Sequence, residues 1–573
     1  MGYKEVYEDW LVNPYFDEET RKELRAIEGD EDEIRERFYC DLEFGTAGLR
    51  GILGAGTNRM NIYVVRRATQ GLANYIIKQG ASGKGVAIAF DSRHMSREFA
   101  DEAALTLAAN GIKAYVFDSL RPTPELSFAV RCLGCTAGIN ITASHNPAEY
   151  NGYKVYWEDG AQITPPHDTG IMDEVKAVKD FESVRTMKKE DAEAAGLYNV
   201  IGSEIDDKYI ACVKAQIKDP QVIREYADKL KVVYTPLHGT GNIPARRVLK
   251  ELGFTQVYVV PEQELPDGDF PTVAKPNPED DAAFELGLKL AEKIDADLVL
   301  ATDPDADRLG VRVKDSQGVY HTLTGNMSGC LLAEYTIGQI ARLRGLPDDG
   351  TLIKTIVTTN MADAIARHYG VNMIECLTGF KYIGQQILNF EKSGKGTYLF
   401  GFEESYGCLI GTYARDKDAI VAVMELCEAA AWYMSKGMNL WDAMVEMYER
   451  YGYYKDEVQS LSFSGIAGQE TMKKIMAGLR ADIPSEIGGL KVLSVRDYQN
   501  DTILDTASGQ VRPTGLPRSN VLYFDLDEKA WVCVRPSGTE PKIKFYYGVR
   551  GTSMEDADRR SAELGKAVLA LAE

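Results

Sequence analysis

Three aspartates at alternate positions, in Thr302-Asp303-Pro304-Asp305-Ala306-Asp307-Arg308, follow an apolar run at 298–301. Carboxylates spaced in this way on a tight loop can converge on one hard divalent cation. An EF-hand is excluded, because Arg308 stands where that loop needs Gly and Lys314 where it needs the bidentate Glu. Three carboxylates fill only part of a Mg²⁺ octahedron, leaving places for water or a phosphate oxygen. A solvated acidic turn is the competing reading, and it explains poorly why the triplet ends a predicted buried strand. Metal is the favoured reading.

Earlier in the chain, Thr142-Ala143-Ser144-His145-Asn146-Pro147 follows another apolar run. Ser144 is a candidate nucleophile, but the G-x-S-x-G glycines of a hydrolase elbow are absent. A hydroxyl there can instead carry a phosphoryl group, bringing about −1.5 to −2 charges that would complete the shell of a nearby cation. His145 and Lys154 stand close enough in sequence to move protons or balance charge. On Ser144 and His145 alone, a helix cap beside a hydrogen-bonded core histidine is the better reading. Gly401-Phe402-Glu403-Glu404-Ser405-Tyr406-Gly407 offers acceptors for neighbouring sugar hydroxyls, and Arg415-Asp416-Lys417-Asp418 places basic residues near the same rim. A solvated loop and a surface salt-bridge cluster have the same compositions. Near the end, Arg535-Pro536-Ser537-Gly538-Thr539-Glu540-Pro541-Lys542-Ile543-Lys544 combines an Arg fork, two hydroxyls, a glycine and lysines, the makings of a phosphate cradle. The cradle is preferred to a hairpin turn with incidental charge.

These motifs sit on a regular framework. β-branched runs at 86–90, 113–117 and 138–141 alternate with helical patterns such as 98–110, which argues for α/β layers. The rhythm repeats at 232–234, 257–260 and 298–301, and again at 352–357 and 398–400. Runs at 521–526, 531–534 and 542–549, with one helical tail from Glu555, predict a smaller antiparallel α+β domain. A polar stretch at 181–204 reads as a connection, and 419–434 as a core helix. The expected domains are 1–205, 206–320, 321–450 and 451–573. In open α/β sheets ligands bind beyond the carboxyl ends of the strands, where each block carries one of the motifs.

Composition bounds the rest. The chain has 573 residues, 45% apolar and 26% charged, as in ordinary globular proteins. Its 86 acidic against 65 basic residues give a net charge of −21, which disfavours nucleic acid and anionic membrane as partners. An anionic substrate therefore requires local concentration of cations. No apolar run is long enough to span a bilayer, the first residues lack a signal-peptide core, and Val6 breaks a myristoylation motif, so a cytoplasmic location is expected. Nine cysteines, with one lone C-x-x-C at Cys132 and Cys135, fit reduced thiols; the pair reads as small residues near a helix end.

Taken in order, the four motifs resemble the α-D-phosphohexomutase superfamily over nearly the whole chain. The segment 142–147 is similar to its phosphoserine loop, 303–308 to its metal loop, 401–407 to its sugar loop and 535–539 to its phosphate loop. Phe44-Gly45-Thr46-Ala47-Gly48-Leu49-Arg50-Gly51 resembles its N-terminal active-site segment, Thr378-Gly379-Phe380-Lys381 its third-domain substrate loop, and Asp91-Ser92-Arg93 falls at a typical position. The form Ser144-His145-Asn146-Pro147-Ala148-Glu149-Tyr150, without glycines after Pro147, resembles the long branch that includes bacterial phosphoglucomutases, phosphopentomutases and a glucose 1,6-bisphosphate synthase.

The resemblance implies an α/β fold of four domains around a central cleft, three related α/β domains and a C-terminal antiparallel α+β domain. It implies phosphoglucomutase activity on sugar phosphates, with Mg²⁺ on Asp303, Asp305, Asp307 and phosphorylated Ser144, and with glucose 1,6-bisphosphate as intermediate and activator. Catalytic roles fall to Ser144, His145, Lys154, Arg50 and Lys417. Substrate would be held by Arg308, Thr378, Gly379, Lys381, Glu403, Ser405, Arg535, Ser537, Gly538, Thr539 and Lys544. Rival readings are a phosphopentomutase, a phosphomannomutase or a glucose 1,6-bisphosphate synthase. A metal-dependent phosphatase and a non-catalytic sugar-phosphate binder come from other classes. Whether the chain is a monomer or a dimer is not legible.

Overall fold

The computed structural model describes residues 2–42, 48–463, 465–537 and 542–572. Phe44 to Ala47, ahead of Arg50, and Gly538 and Thr539 of the last motif lie outside the described residues. The chain divides into two compact units. The first comprises Met1–Gly325, Phe380–Tyr398 and Ser405–Asn439, and the second Asn326–Gly379, Leu399–Glu404 and Leu440–Glu573.

In the first unit, Ala137–Ile141, Val86–Phe90, Ala114–Phe117 and Tyr198–Ile201 lie side by side in that order and run parallel. Val86–Phe90 is buried at every position, as a parallel strand covered on both faces requires. Tyr150–Trp157 then pairs antiparallel with Ala137–Ile141, and Leu49–Ile52 pairs antiparallel with it. The second sheet repeats the plan. Val257–Val259, Val232–Thr235 and Leu298–Thr302 are parallel, while Leu309–Lys314 and Tyr320–Leu323 return antiparallel. Ser144 and the aspartate triplet thus occupy equivalent places, each where the outermost parallel strand turns into its antiparallel neighbour. The segment 181–204 is more than a connection: its Tyr198–Ile201 is the edge strand of the first sheet. Only Tyr198 and Ile201 of that strand are buried, too short an apolar signal to read from sequence.

Three helices that the sequence reading did not anticipate, Tyr3–Val12, Glu18–Ala26 and Glu31–Phe38, precede the first sheet. They gather Tyr7, Trp10, Phe16 and Phe38 against Tyr63. The helix Ala419–Met434 is buried on nearly all sides and capped by Asp418, whose carboxylate accepts the N–H groups of Ile420 and Val421. Cys132 and Cys135 flank the end of the helix Thr123–Leu133, at Gly134, as expected of small helix-end residues.

In the second unit, Gly350–Thr355 lies between Asn372–Cys376, to which it is parallel, and Thr397–Glu403. The C-terminal sheet is antiparallel, built from long pairs such as Tyr453–Ser462 with Lys542–Gly551. Met476 from the helix Gly465–Ala481 and Leu564 and Val568 from Met554–Ala570 close its core over Phe524 and Phe545. Among the described residues no helix is long and apolar enough to cross a membrane.

Candidate active site

The loop that carries Ser144 is held by its main chain. Ser144 is buried in the left-handed region at φ 51°, and its N–H donates to Thr142 Oγ1 at 2.8 Å. Arg93 donates to the carbonyls of Ser144 and Asn146 at 2.5 Å, Pro147 at 2.8 Å and Tyr150 at 3.1 Å. Asp91 balances that guanidinium at 3.2 Å and accepts Ser96 Oγ at 2.8 Å. One buried cation therefore fixes the shape of the loop, and a left-handed serine persists because its surroundings over-determine it.

Ser144 Oγ donates to Asp303 Oδ2 at 2.7 Å and lies 3.2 Å from His145 Nδ1. The three aspartates are fully buried or nearly so, and one carboxylate oxygen of each falls within 4.8 Å of the others. Ala306, at φ 50°, folds the loop so that the N–H groups of Asp307 and Arg308 both donate to Asp303 Oδ1 at 3.1 Å. Asp305 Oδ1 and Asp307 Oδ1 are buried and accept no hydrogen bond from the described residues. Buried carboxylate oxygens without donors are costly, and a divalent cation would satisfy them. The donor set, all oxygen and all anionic, fits Mg²⁺. Burial, reinforced by Asp305 and Asp307, pushes Asp303 well above the usual carboxylate range. Burial works the same way on Asp305, but Lys154 overrides it and holds that carboxyl well below the range.

Cations surround the triplet. Lys154 Nζ reaches Asp305 Oδ2 at 2.7 Å and Asp307 Oδ2 at 3.6 Å, and Lys417 Nζ reaches Asp307 Oδ2 and Asp416 Oδ1 at 3.2 Å each. Arg50 donates to Asn146 Oδ1 at 2.7 Å, and Arg308 is paired with Glu279. Burial pulls the Lys154 pKa down, yet Asp305 and Asp307 outweigh it and leave the ammonium above its ordinary value. Burial, Arg308 and Arg50 hold His145 well below its ordinary value, so its ring is neutral. Gly407 makes room for one of these groups: a Cβ there would lie 2.0 Å from Lys417 Cδ. The Tyr406 carbonyl accepts the N–H of Leu309 at 3.0 Å, tying the end of the 401–407 motif to the strand that leaves the aspartate loop.

In the second unit, Glu403 ends a strand and Glu404 begins the turn that follows it. Glu404 Oε2 accepts from Thr355 Oγ1 at 3.2 Å and Thr358 Oγ1 at 3.4 Å, and burial together with Glu403 pushes it up to about 7. Arg535 and Lys544 face each other across paired strands, and Ser537 N donates to the Lys542 carbonyl at 2.7 Å. Thr378 Oγ1 is buried and has no hydrogen-bond partner among the described residues.

Three consecutive stretches, residues 41–182, 207–318 and 324–451, match the descriptions of phosphoglucomutase/phosphomannomutase alpha/beta/alpha domains I, II and III. The chain belongs to that family, within the α-D-phosphohexomutase superfamily. A phosphoglucomutase of Staphylococcus epidermidis strain ATCC 35984 is 37% identical over 543 residues, 95% of each chain. One of Staphylococcus aureus strain MRSA252 is 37% identical and covers 92% of this chain and 93% of its own. The open form of Paramecium pp63/parafusin superposes with a TM-score of 0.68 at 18% identity, covering 93% of this chain and 95% of its own. A Burkholderia thailandensis phosphoglucomutase/phosphomannomutase family protein gives 0.65 at 20%, covering 92% and 97%. At those identities the two structures speak to the fold alone.

For this member of the family, the first unit brings Ser144, His145, Lys154, Arg50, Arg308, Lys417 and the three aspartates to one place. Ser405 and Lys381 belong to the same unit, where Lys381 Nζ lies 5.5 Å from the Tyr382 ring centroid. Thr378, Gly379, Glu403, Arg535, Ser537 and Lys544 belong to the second unit. Sequence reasoning assigned no task to the supporting groups. Thr123 Oγ1 donates to Asp305 Oδ2 at 2.7 Å and itself accepts from Asn140 Nδ2 at 2.6 Å. Tyr156 OH donates to Asp416 Oδ2 at 2.9 Å. Asp91 and Arg93 were noted only for their position; an acid and a base two residues apart after a strand is the signal that could have marked the clamp.

Proposed function

We propose that this chain is a phosphoglucomutase that interconverts α-D-glucose 1-phosphate and glucose 6-phosphate. Phosphorylated Ser144 donates its phosphoryl group to the free hydroxyl of the substrate, giving bound glucose 1,6-bisphosphate, and Ser144 then takes back the other phosphoryl group. The observation that carries the reading is the buried 2.7 Å hydrogen bond from Ser144 Oγ to Asp303 Oδ2, one of three carboxylates gathered closely enough to hold a cation. The choice of glucose phosphates follows the names of the staphylococcal relatives.

Mg²⁺ on Asp303, Asp305 and Asp307, when bound, neutralises charge on the transferring group and aligns it. Arg50 and Arg308 add positive charge beside the same phosphoryl oxygens. Lys154, held as an ammonium, serves as fixed charge rather than as a base. Neutral His145 can take the hydroxyl proton on a ring nitrogen and return it as Ser144 Oγ leaves. Lys417 is the other group in reach for proton transfer. Glu403 and Ser405 hold sugar hydroxyls, and Thr378, Gly379 and Lys381 line the substrate loop. Arg535, Ser537, Gly538, Thr539 and Lys544 grip the phosphate that is not reacting.

The test is kcat/KM on glucose 1-phosphate, mannose 1-phosphate and ribose 1-phosphate, with Mg²⁺ and a trace of glucose 1,6-bisphosphate. Glucose 1-phosphate should lead; a lead for either other sugar would overturn the substrate assignment. Ser144→Ala should lose the phosphoryl mass increment on the intact protein and at least 10³-fold in kcat, and full turnover without Ser144 would end the mechanism.

A further inference from the structure

The Ser144 loop and the aspartate loop come from different sheets, and a line of contacts joins them through Arg93, Phe270, His238 and Thr240. Arg93, which holds the Ser144 carbonyl, is covered by the ring of Phe270, with 4.9 Å from guanidinium carbon to ring centroid. Phe270 belongs to a turn beyond the second sheet, where its N–H donates to the Asp267 carbonyl at 3.3 Å. Phe270 also meets the ring of His238, edge-on with centroids 6.4 Å apart. Both His238 nitrogens are engaged, Nδ1 with the Leu265 carbonyl at 3.1 Å and Nε2 with Thr272 Oγ1 at 3.0 Å. The next two residues rest on the metal loop. Thr240 donates from N and from Oγ1 to the Pro304 carbonyl at 2.8 Å, and a Cβ on Gly239 would come within 2.4 Å of Pro304 Cα. Pro304 stands between two of the three carboxylates.

The local backbone underlines this. Leu237, His238 and Phe270 adopt φ of 44°, 60° and 46°, a region that non-glycine residues rarely enter. Phe270 and His238 are 1% and 3% exposed, so the strain is held by burial on all sides. A ring over a desolvated guanidinium also adds attraction beyond its buried area.

We infer that Phe270 and His238 are positioning residues for phosphoryl transfer, a brace that sets the spacing between the Ser144 loop and the aspartate loop. The inference rests on the reaction proposed above. Phosphoryl transfer depends steeply on alignment, and misplacement of about 1 Å can cost on the order of 10²-fold in rate. The brace acts through Arg93 and Pro304, so its loss falls on the spacing of the loops rather than on the substrate's distal contacts or on the carboxylates themselves.

Phe270→Leu fills the space with an apolar side chain and removes the ring from Arg93 and His238, while Phe270→Tyr restores the ring. For Phe270→Leu, kcat on glucose 1-phosphate should fall at least tenfold with KM within twofold of wild type. The Mg²⁺ concentration at half-maximal thermal shift should stay within twofold, and Phe270→Tyr should recover most of kcat. A folded Phe270→Leu with wild-type kcat would overturn the brace, as would a lowered melting temperature with unchanged kcat. If Phe270→Leu does not fold, Thr272→Val, which removes the partner of His238 Nε2, is judged by the same criteria. A wild-type chain that never acquires phosphate on Ser144 would instead sink the reaction on which the brace depends.

Discussion

Lys417 illustrates how a single atom decides a site. Its stem passes so close to Gly407 that a methyl group there would overlap its Cδ, and Gly407 has no other reason to be glycine, since its φ lies in the ordinary region. Gly407→Ala should therefore swing Lys417 away from Asp307 and lower kcat by about as much as Lys417→Ala. The double variant should be no worse than either single change, because both remove the same contact. A double-mutant cycle on kcat checks this, and additive losses would separate the two residues. The carboxylates are a second residue-scale case. Their alternate spacing was legible because a tight loop needs only sequence neighbours to gather three oxygens. Arg93 was less so: the four carbonyls it holds leave no trace in residue types, and only the Asp91–Arg93 spacing after a strand hints at the clamp.

At the scale of elements, Asp418 does three things at once. It caps the helix Ala419–Met434, accepts the hydroxyls of Tyr209 at 2.9 Å and Tyr413 at 2.5 Å, and so fixes the turn that presents Asp416 and Lys417. Asp418→Ala should cost about 1–2 kcal/mol for the cap alone, with more from two stranded hydroxyls, and should reduce kcat as Lys417 loses its support. Asp418→Asn, which still caps, should sit nearer wild type in melting temperature. Calorimetry and a coupled rate assay on both variants check the order. The strands around these loops were largely legible, for parallel strands buried on both faces read as unbroken apolar runs: 86–90 was placed to the residue and 298–301 to within one. The edge strand Tyr198–Ile201 was missed because two buried residues make no pattern. The N-terminal helices were missed because their charged faces outweigh a sparse aromatic stripe.

Across the whole molecule, buried acids set the response to pH. Glu428 is fully buried, accepts the N–H groups of Lys218 and Asp219, and is pushed up to about 7 by burial and by Glu425. The folded chain thus keeps this proton to higher pH than the unfolded chain, which loses it near 4.3. The stability it contributes is present below that value and is lost progressively as pH rises to about 7, by on the order of 3–4 kcal/mol. Glu428→Gln should melt higher than wild type at pH 8 and lose that advantage at pH 5, which melting curves across the range will show. The gathering of Arg50, Arg308, Lys154 and Lys417 inside a chain of net charge −21 has a kinetic side as well. A doubly charged anion diffusing in from bulk solvent meets repulsion first, and attraction only within roughly 8 Å, the screening length at physiological salt. Added salt quenches the distant repulsion before it weakens the close contacts. Stopped-flow association rates should therefore climb between about 10 and 150 mM salt, the opposite of what an encounter guided by long-range attraction would give.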